Sequence, residues 1–301
     1  MANYNLNQLP SEAQIRKTLR KAIFGKYMFC PHCGSRRVAV FEKRYHCKRC
    51  RKKFSLISCS WLKGAKISLA KISCLLWCWQ IKCPPDQALA IAAVSLPTVR
   101  HWYDKFRDNL PPQLLEEMRL SGNVQADECY RRGYSILGAK QEAMDGKPSR
   151  MALVTLFKES VDKNDVVTML SQKVKPESIL RTDGGSIYRK IEDWWPVSHE
   201  FELHKKFEFA ITSEIEGLWG NLFTFIRRMY HHVTTAKIEG IVNEFCFRQC
   251  FQDYFHTPEK YFALCLVKLA RKNPRKFSLR PQPEFGFILK EKSFEFVPSC
   301  F

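Results

Sequence analysis

The chain has 301 residues, enough for about two domains with sizeable cores. Its formal charge of +19 is uneven: residues 1–112 carry +16, residues 257–301 carry +5, and the stretch between is slightly acidic at −2, which suits a phosphate-binding head beside a site with negative charge of its own. The longest apolar run, Ile67 to Trp79, is too short for a bilayer span and contains Lys71, so a membrane protein is excluded and a soluble one expected. The start is polar (Asn3, Asn5, Asn7) and unlike a signal peptide. The cysteines total 13, an odd number that argues against a disulfide framework and for a reducing, cytoplasmic setting.

The first chemistry in chain order is a pair of Cys-x-x-Cys knuckles, Cys30-Pro-His-Cys33 and Cys47-Lys-Arg-Cys50, with thirteen residues between them. Thiolates three apart on a tight turn fill two corners of a tetrahedron, and two such turns close a structural Zn²⁺ site with no position left for substrate. His32 and His46 lie within the motif and could replace a thiolate, but four cysteines suffice. The run from Arg44 to Phe54 interleaves cations with Tyr45, His46 and Phe54, a small rigid module suited to a polyanion. Other cysteines, such as Cys74/Cys78 and Cys246/Cys250, recur at helical spacing among apolar residues and read as buried reduced thiols.

An apolar stretch from Ile67 to Gln80 predicts one buried helix. Pro84-Pro85 opens a second that runs through Ala93, and Ser95 caps a third. In the third, Val99, Trp102, Tyr103 and Phe106 follow i, i+3, i+4, i+7 and form an apolar face, leaving Thr98, Arg100, His101, Lys105 and Arg107 outward. Three short helices with a basic final face predict a helix-turn-helix-like unit, whose last helix would present Arg100, His101 and Lys105 to a DNA major groove. A small bundle without a DNA role has the same pattern; the adjacent ribbon and the local charge favour DNA. Asn109-Leu-Pro-Pro112 reads as a linker.

Beyond residue 120 the pattern becomes α/β. Val124 to Asp127 and Met151 to Phe157 read as strands, and 131–150 between them as a loop or hairpin. Asp165 to Leu170 suggests a helix, Ile179 to Asp183 a strand ending in Asp-Gly-Gly, with a helix from Ser186 and a weak strand near 197–203. A long amphipathic helix runs from Glu214 to Met229. Asp127 and Asp183 each end an apolar β-like run, where a third acid from a packed helix can join them. Hard oxygen donors of this kind suit Mg²⁺ or Mn²⁺, and two such ions about 4 Å apart can drive in-line phosphoryl transfer.

Cys30/Cys33/Cys47/Cys50 with the following Lys-Lys-Phe-Ser55, the helical unit, Asp127-Glu-Cys-Tyr130, Asp183-Gly-Gly-Ser-Ile-Tyr188, Ile215-Glu-Gly-Leu-Trp219 and Glu244-Phe-Cys-Phe-Arg248 together resemble bacterial insertion-sequence transposases of the Merlin-like DDE superfamily, over about residues 20–250. The resemblance implies an RNase H-like mixed-sheet catalytic core, structural zinc, catalytic Mg²⁺ or Mn²⁺, cleavage of double-stranded DNA at transposon ends and strand transfer into target DNA. It also implies a homodimer or larger synaptic assembly in the bacterial cytoplasm, associated with DNA. It carries over Asp127 and Asp183 as metal ligands and Glu216 as the third acid. Ser213-Glu-Ile-Glu216 is also a capping box, in which Glu216 would only return a bond to the helix start, and Glu214 is a weaker alternative. Gly220, Phe223 and Arg227 share the Glu216 face, and the bare Gly220 leaves room for metal and DNA. The family places Lys or Arg seven residues after this Glu to hold a terminal phosphate; this chain has Phe223, and Arg227 one turn further is the substitute. His204, His231 and His232 lie near this core and read as structural. The segments expected are 1–60 with the ribbon, 61–112 the helix-turn-helix-like unit, 120–256 the catalytic domain and 257–301 a basic tail. The competing readings are a zinc-ribbon DNA-binding protein or decayed transposase without catalysis, and another RNase H-like nuclease such as a resolvase.

Overall fold

A helix that the sequence patterning does not reveal, α1 (Glu12–Phe24), opens the structure. Ser11 and Gln14 cap it reciprocally, and Ile15, Leu19 and Ile23 form its buried stripe. The computed structural model describes residues 9–42, 44–143, 149–201 and 213–269, so His204 and most of the basic tail lie outside the described residues.

The ribbon is an antiparallel sheet of β1 (Val38–Phe41), β2 (Arg44–Cys47) and β3 (Lys53–Phe54) in that order. After each Cys-x-x-Cys the backbone enters the left-handed region, at Gly34 (φ 69°) and Arg51 (φ 58°). Their N–H groups donate back to the carbonyls of Cys30 and Cys47, so the two knuckles repeat one turn. The helical unit follows as α2 (Leu69–Gln80), α3 (Pro85–Ala92) and α4 (Leu96–Asp108), close to the expected bounds. Val99, Trp102, Tyr103 and Phe106 are all buried. Ser95 holds the N-cap position of α4, but its hydroxyl bonds that of Thr98 at 2.9 Å and caps no backbone N–H. The expectation that Arg107 points outward is corrected: it is 7% exposed, because α4 meets another helix there.

After α5 (Gln113–Glu117) comes the α/β core: β4 (Asn123–Arg131), β5 (Tyr134–Gln141), β6 (Arg150–Leu156), α6 (Lys163–Lys173), β7 (Ile179–Thr182), β8 (Ser198–Phe201), α7 (Ser213–Tyr230) and α8 (Thr235–Cys250). The five-stranded sheet has the order β6-β5-β4-β7-β8, antiparallel from β6 to β4 and parallel from β4 to β8, an RNase H-like mixed sheet. The 131–150 excursion is mostly β5, paired along its length with β4 and β6. The helix expected from Ser186 is two 3₁₀ turns, Ser186–Tyr188 and Ile191–Asp193, because Lys190 between them is left-handed (φ 54°). One sheet face packs Val124, Ala126 and Leu137 on Val166, Met169 and Leu170 of α6. The other packs Ile136, Met151 and Leu153 on α7 and α8, and this apolar cluster runs on into the head as far as Ile15.

Head and core are joined by a buried polar latch. Glu244 of α8, wholly buried, accepts from Arg107 of α4 (3.0 Å), Tyr230 of α7 (2.6 Å) and Arg248 (2.9 Å). Arg248 in turn donates to the carbonyls of Trp79 and Gln80, capping the C-terminal end of α2. A further helix, α9 (Pro258–Cys265), returns to the head: the Tyr261 hydroxyl donates to the Phe106 carbonyl, and Trp61 Nε1 to that of Cys265. Residues 257–265 are therefore a packed part of the fold.

Candidate functional site

The four sulfurs of Cys30, Cys33, Cys47 and Cys50 all lie within 4.8 Å of one another. The Cys30–Cys50 and Cys33–Cys47 separations are 3.6 Å, against an edge of about 3.8 Å for a tetrahedron of Zn–S bonds. Backbone N–H groups of His32 and Cys33 donate to Cys30, and those of Arg49 and Cys50 to Cys47, stabilising thiolates. Burial first, then hydrogen bonding with Cys50 and Cys47, pushes the Cys30 thiol up to about 12 against those backbone donors, a cost that a bound cation would remove. The donor set and geometry fit structural zinc, and His32 and His46 are not among the four.

The acids come together through strand register. β4 and β7 are parallel, and Gln125 pairs with Arg181 at the end of their ladder. Asp127 and Asp183 are each two residues further on, side by side where the strands part. Asp183 follows the last residue of β7 as expected, whereas β4 continues past Asp127 to Arg131 in its hairpin with β5. The Asp183 carboxylate accepts from the Gly185 N–H (2.9 Å). Asp127 accepts at both oxygens, from the Glu128 N–H (2.8 Å) and from Trp219 Nε1 (2.7 Å).

Trp219 reaches Asp127 because α7 is fastened alongside β4. Gln125 Oε1 accepts from the Ile215 N–H (3.0 Å), and Lys140 pairs with Glu214 (2.9 Å). Four helical residues advance about 6 Å and two strand residues about 6.7 Å, so contacts 125–215 and 127–219 keep step. Gly138, opposite Asp127 on β5, makes the approach possible: a Cβ there would lie 2.8 Å from Trp219 Cη2. Gln125 itself is oriented by Glu142, which also binds Asn123 and Arg181, and Arg181 continues to Glu200.

Glu216 is exposed on the first turn of α7, and its charge reaches Asp127. Burial first, then the charges of Asp183 and Glu216, push the Asp127 carboxyl above its ordinary value against donation from Trp219 and Glu128. Glu214 is engaged by Lys140, and Gly220 has open space around its Cα, as the helix face requires. Among the described residues only the cysteines draw three or more ligand atoms within 4.8 Å of one another, so the three acids are not all mutually within that distance. Sequence reading passed over Glu128, a fourth carboxylate. It accepts from the buried Tyr188 hydroxyl (2.7 Å), and burial, then Asp127 and Asp183, push it above its ordinary value. Its adjacency to Asp127, with Tyr188 in the Asp183 motif, was the available signal.

Phe223 carries a cation after all: the Arg131 guanidinium lies 4.0 Å from its ring centroid. Arg227, further along α7, is exposed, as are His231 and His232. On the head, Arg100 and His101 are exposed, and Lys105 is half-buried with its ammonium over the Trp102 ring. His101 and Lys105 line a hollow of about 340 Å³ between α4 and the 64–67 turn.

Residues 10–53 match the family described as the transposase zinc-ribbon domain, and residues 119–249 match the ISXO2-like transposase domain. No curated protein matches the chain. Among solved structures, one remote likeness is a cryo-EM structure of the simian T-cell lymphotropic virus intasome in complex with a PP2A regulatory subunit: 8% identity over 57% of this chain and 67% of that one, with a TM-score of 0.32. No described helix is long and apolar enough to cross a membrane.

Proposed function

We propose, from the matches of residues 10–53 and 119–249 to transposase domains, that this chain is a DNA transposase of the IS1595 type and that Asp127, Asp183 and Glu216 are the carboxylates with which it cuts the ends of its element and joins them to target DNA. The reading includes kinship with the bacterial Merlin-like superfamily, action in the cytoplasm on double-stranded DNA, and a homodimer or larger assembly that pairs two ends. The observation that supports it is the parallel register that sets Asp127 beside Asp183, with the first turn of α7 close enough for Glu216 to raise the proton affinity of Asp127.

A buried carboxylate surrounded by other acids is costly unless cations are present to share its charge. Mg²⁺ or Mn²⁺ held there would activate a water or 3′-OH and stabilise the leaving oxygen of a phosphodiester. Two ions about 4 Å apart need ligands spread wider than one ion's shell, so a two-ion site does not require the three acids to converge on one point. Trp219 and the Glu128 N–H fix the orientation of Asp127 beforehand, while each oxygen keeps a second lone pair. Arg100, His101 and Lys105 read the end sequence, and Arg131 and Arg227 take phosphates near the acids.

The test uses zinc-loaded full chain, Mn²⁺ and flanking DNA from its own locus, scored for cut and joined products. Asp127→Asn and Asp183→Asn should abolish both products and leave end binding intact. Glu216→Gln separates the roles of that residue: Gln can still cap a helix, so retained activity would remove Glu216 from the site. A protein that only binds DNA would yield no products before any substitution.

A further inference from the structure

The tip of the ribbon hairpin is bare on both sides. Val40 is 71% exposed and Phe41 67%, although the ribbon also holds the buried Phe54 and the Tyr45–Phe54 stack. Neighbouring residues on a strand project to opposite faces, so among the described residues neither face of the tip is covered. An apolar patch meant for a flat protein partner would lie on one face; a tip apolar on both is a wedge. The wedge is rigidly mounted, because Val38 at the root of the hairpin pairs directly with the zinc ligand Cys47.

Charge says what the wedge enters. Arg36, Arg37, Arg44, Lys48, Arg49, Arg51, Lys52 and Lys53 are all exposed around it, and Glu42 is the only acid between Cys30 and Phe54. Val40 and Phe41 bring no side-chain donor or acceptor, so these two cannot read base edges by hydrogen bonds. Apolar side chains flanked by cations can instead part a base step from the minor groove while the cations hold the phosphates on either side.

We propose that Val40 and Phe41 form an apolar wedge that unstacks one base step of duplex DNA, locally kinking it, beside the sequence read by α4. This rests on DNA being the partner of the basic head. The step favoured should be a pyrimidine–purine one, which unstacks most readily. Discrimination at that position would then come from deformability, without a hydrogen bond to a base edge.

The experiment uses the zinc-loaded full chain and duplexes of its own end sequence in which 2-aminopurine replaces adenine at successive positions. Wild type should bind and raise the fluorescence at one step. Phe41→Ala should abolish that rise and weaken binding about ten-fold, the worth of one base–aromatic contact, while Phe41→Leu keeps most of the rise. Because Phe41 is exposed, the variants should keep their zinc, which metal analysis checks. Tight binding with no unstacked step anywhere, or an unchanged rise in Phe41→Ala, overturns the wedge but leaves DNA binding standing. Absence of binding by wild type overturns both. A Phe41→Ala chain that unstacks DNA normally but loses self-association in sedimentation assigns the tip to a second copy of the chain and also overturns the proposal.

Discussion

Gly138 joins packing to chemistry at the level of a single atom. Its missing side chain lets the Trp219 ring lie on β5, and the indole then reaches Asp127. Gly138→Ala should cost about 1–3 kcal/mol by overpacking and should lower cleavage more than stability loss explains, measured by urea unfolding beside product yield. Trp219→Phe keeps an aromatic side chain but removes the N–H, a charge-assisted bond worth about 1.5–3 kcal/mol, along with the indole edge packed on Gly138, so cleavage should fall at least about ten- to a hundred-fold with end binding unchanged. Retention of full activity in Trp219→Phe would show that the Glu128 N–H alone orients Asp127. The Arg131–Phe223 pair restores a positive charge where the sequence shows an aromatic. Arg131→Ala should reduce the salt dependence of binding to cleavage-site DNA by about one counterion, while Arg227→Ala alone leaves that contact in place.

At the scale of elements, what could be read from sequence depended on whether burial was one-sided. Helices α4 and α7 were legible from apolar periodicity, α2 from an unbroken apolar stretch, α3 from the prolines that open it, and the zinc knuckles from spacing alone. The strand β5 was not: nearly every residue from Ser135 to Ala139 is buried, which erases the alternation of a half-exposed strand. Arg107 misled for the opposite reason, since a buried charge satisfied by Glu244 looks in sequence like part of a solvated face. Asp127 and Asp183 were visible as acids at strand ends, but their juxtaposition depends on the Gln125–Arg181 register, which only the folded sheet reveals. The ribbon is the element most dependent on a bound group. Its three short strands bury little, and metal binding should contribute roughly 10 kcal/mol or more to its folding. Chelator should therefore unfold residues 30–54 and abolish end binding while far-ultraviolet signals of the α/β core persist; a ribbon indifferent to chelator would contradict the zinc site.

Across the whole molecule, the helical head and the α/β core are parts of one body, because α4 and α8 share the buried Glu244. Glu244→Gln would leave two buried guanidiniums short of charge and should cost about 3–5 kcal/mol in urea unfolding. Burial opposes its ionisation, but Arg248 and Arg107 outweigh that and hold the carboxyl below its ordinary 4.5. The contribution of the latch is then complete above about 4.5 and lost as pH falls through the lower folded value. The wild-type urea midpoint should fall steeply with acid in that range, and the Glu244→Gln curve should be flatter; parallel curves would show that other carboxylates govern acid unfolding.

The return of α9 to the head adds a dimension of time. Tyr261 and Cys265 seal the back of α4 and the Trp61 turn, and the Leu269 N–H closes on the Ile23 carbonyl of α1. These partners are synthesised long after the helix they support. While the ribosome is still translating the catalytic core, the emerging head can hold zinc but lacks its apolar backing. A chain ended after residue 256 should accordingly bind zinc yet lose tight binding to its end sequence, as titration of labelled duplex would measure. Competence to grip DNA thus arrives with the completed protein, and abortive or degraded fragments would not occupy the element's ends in its place.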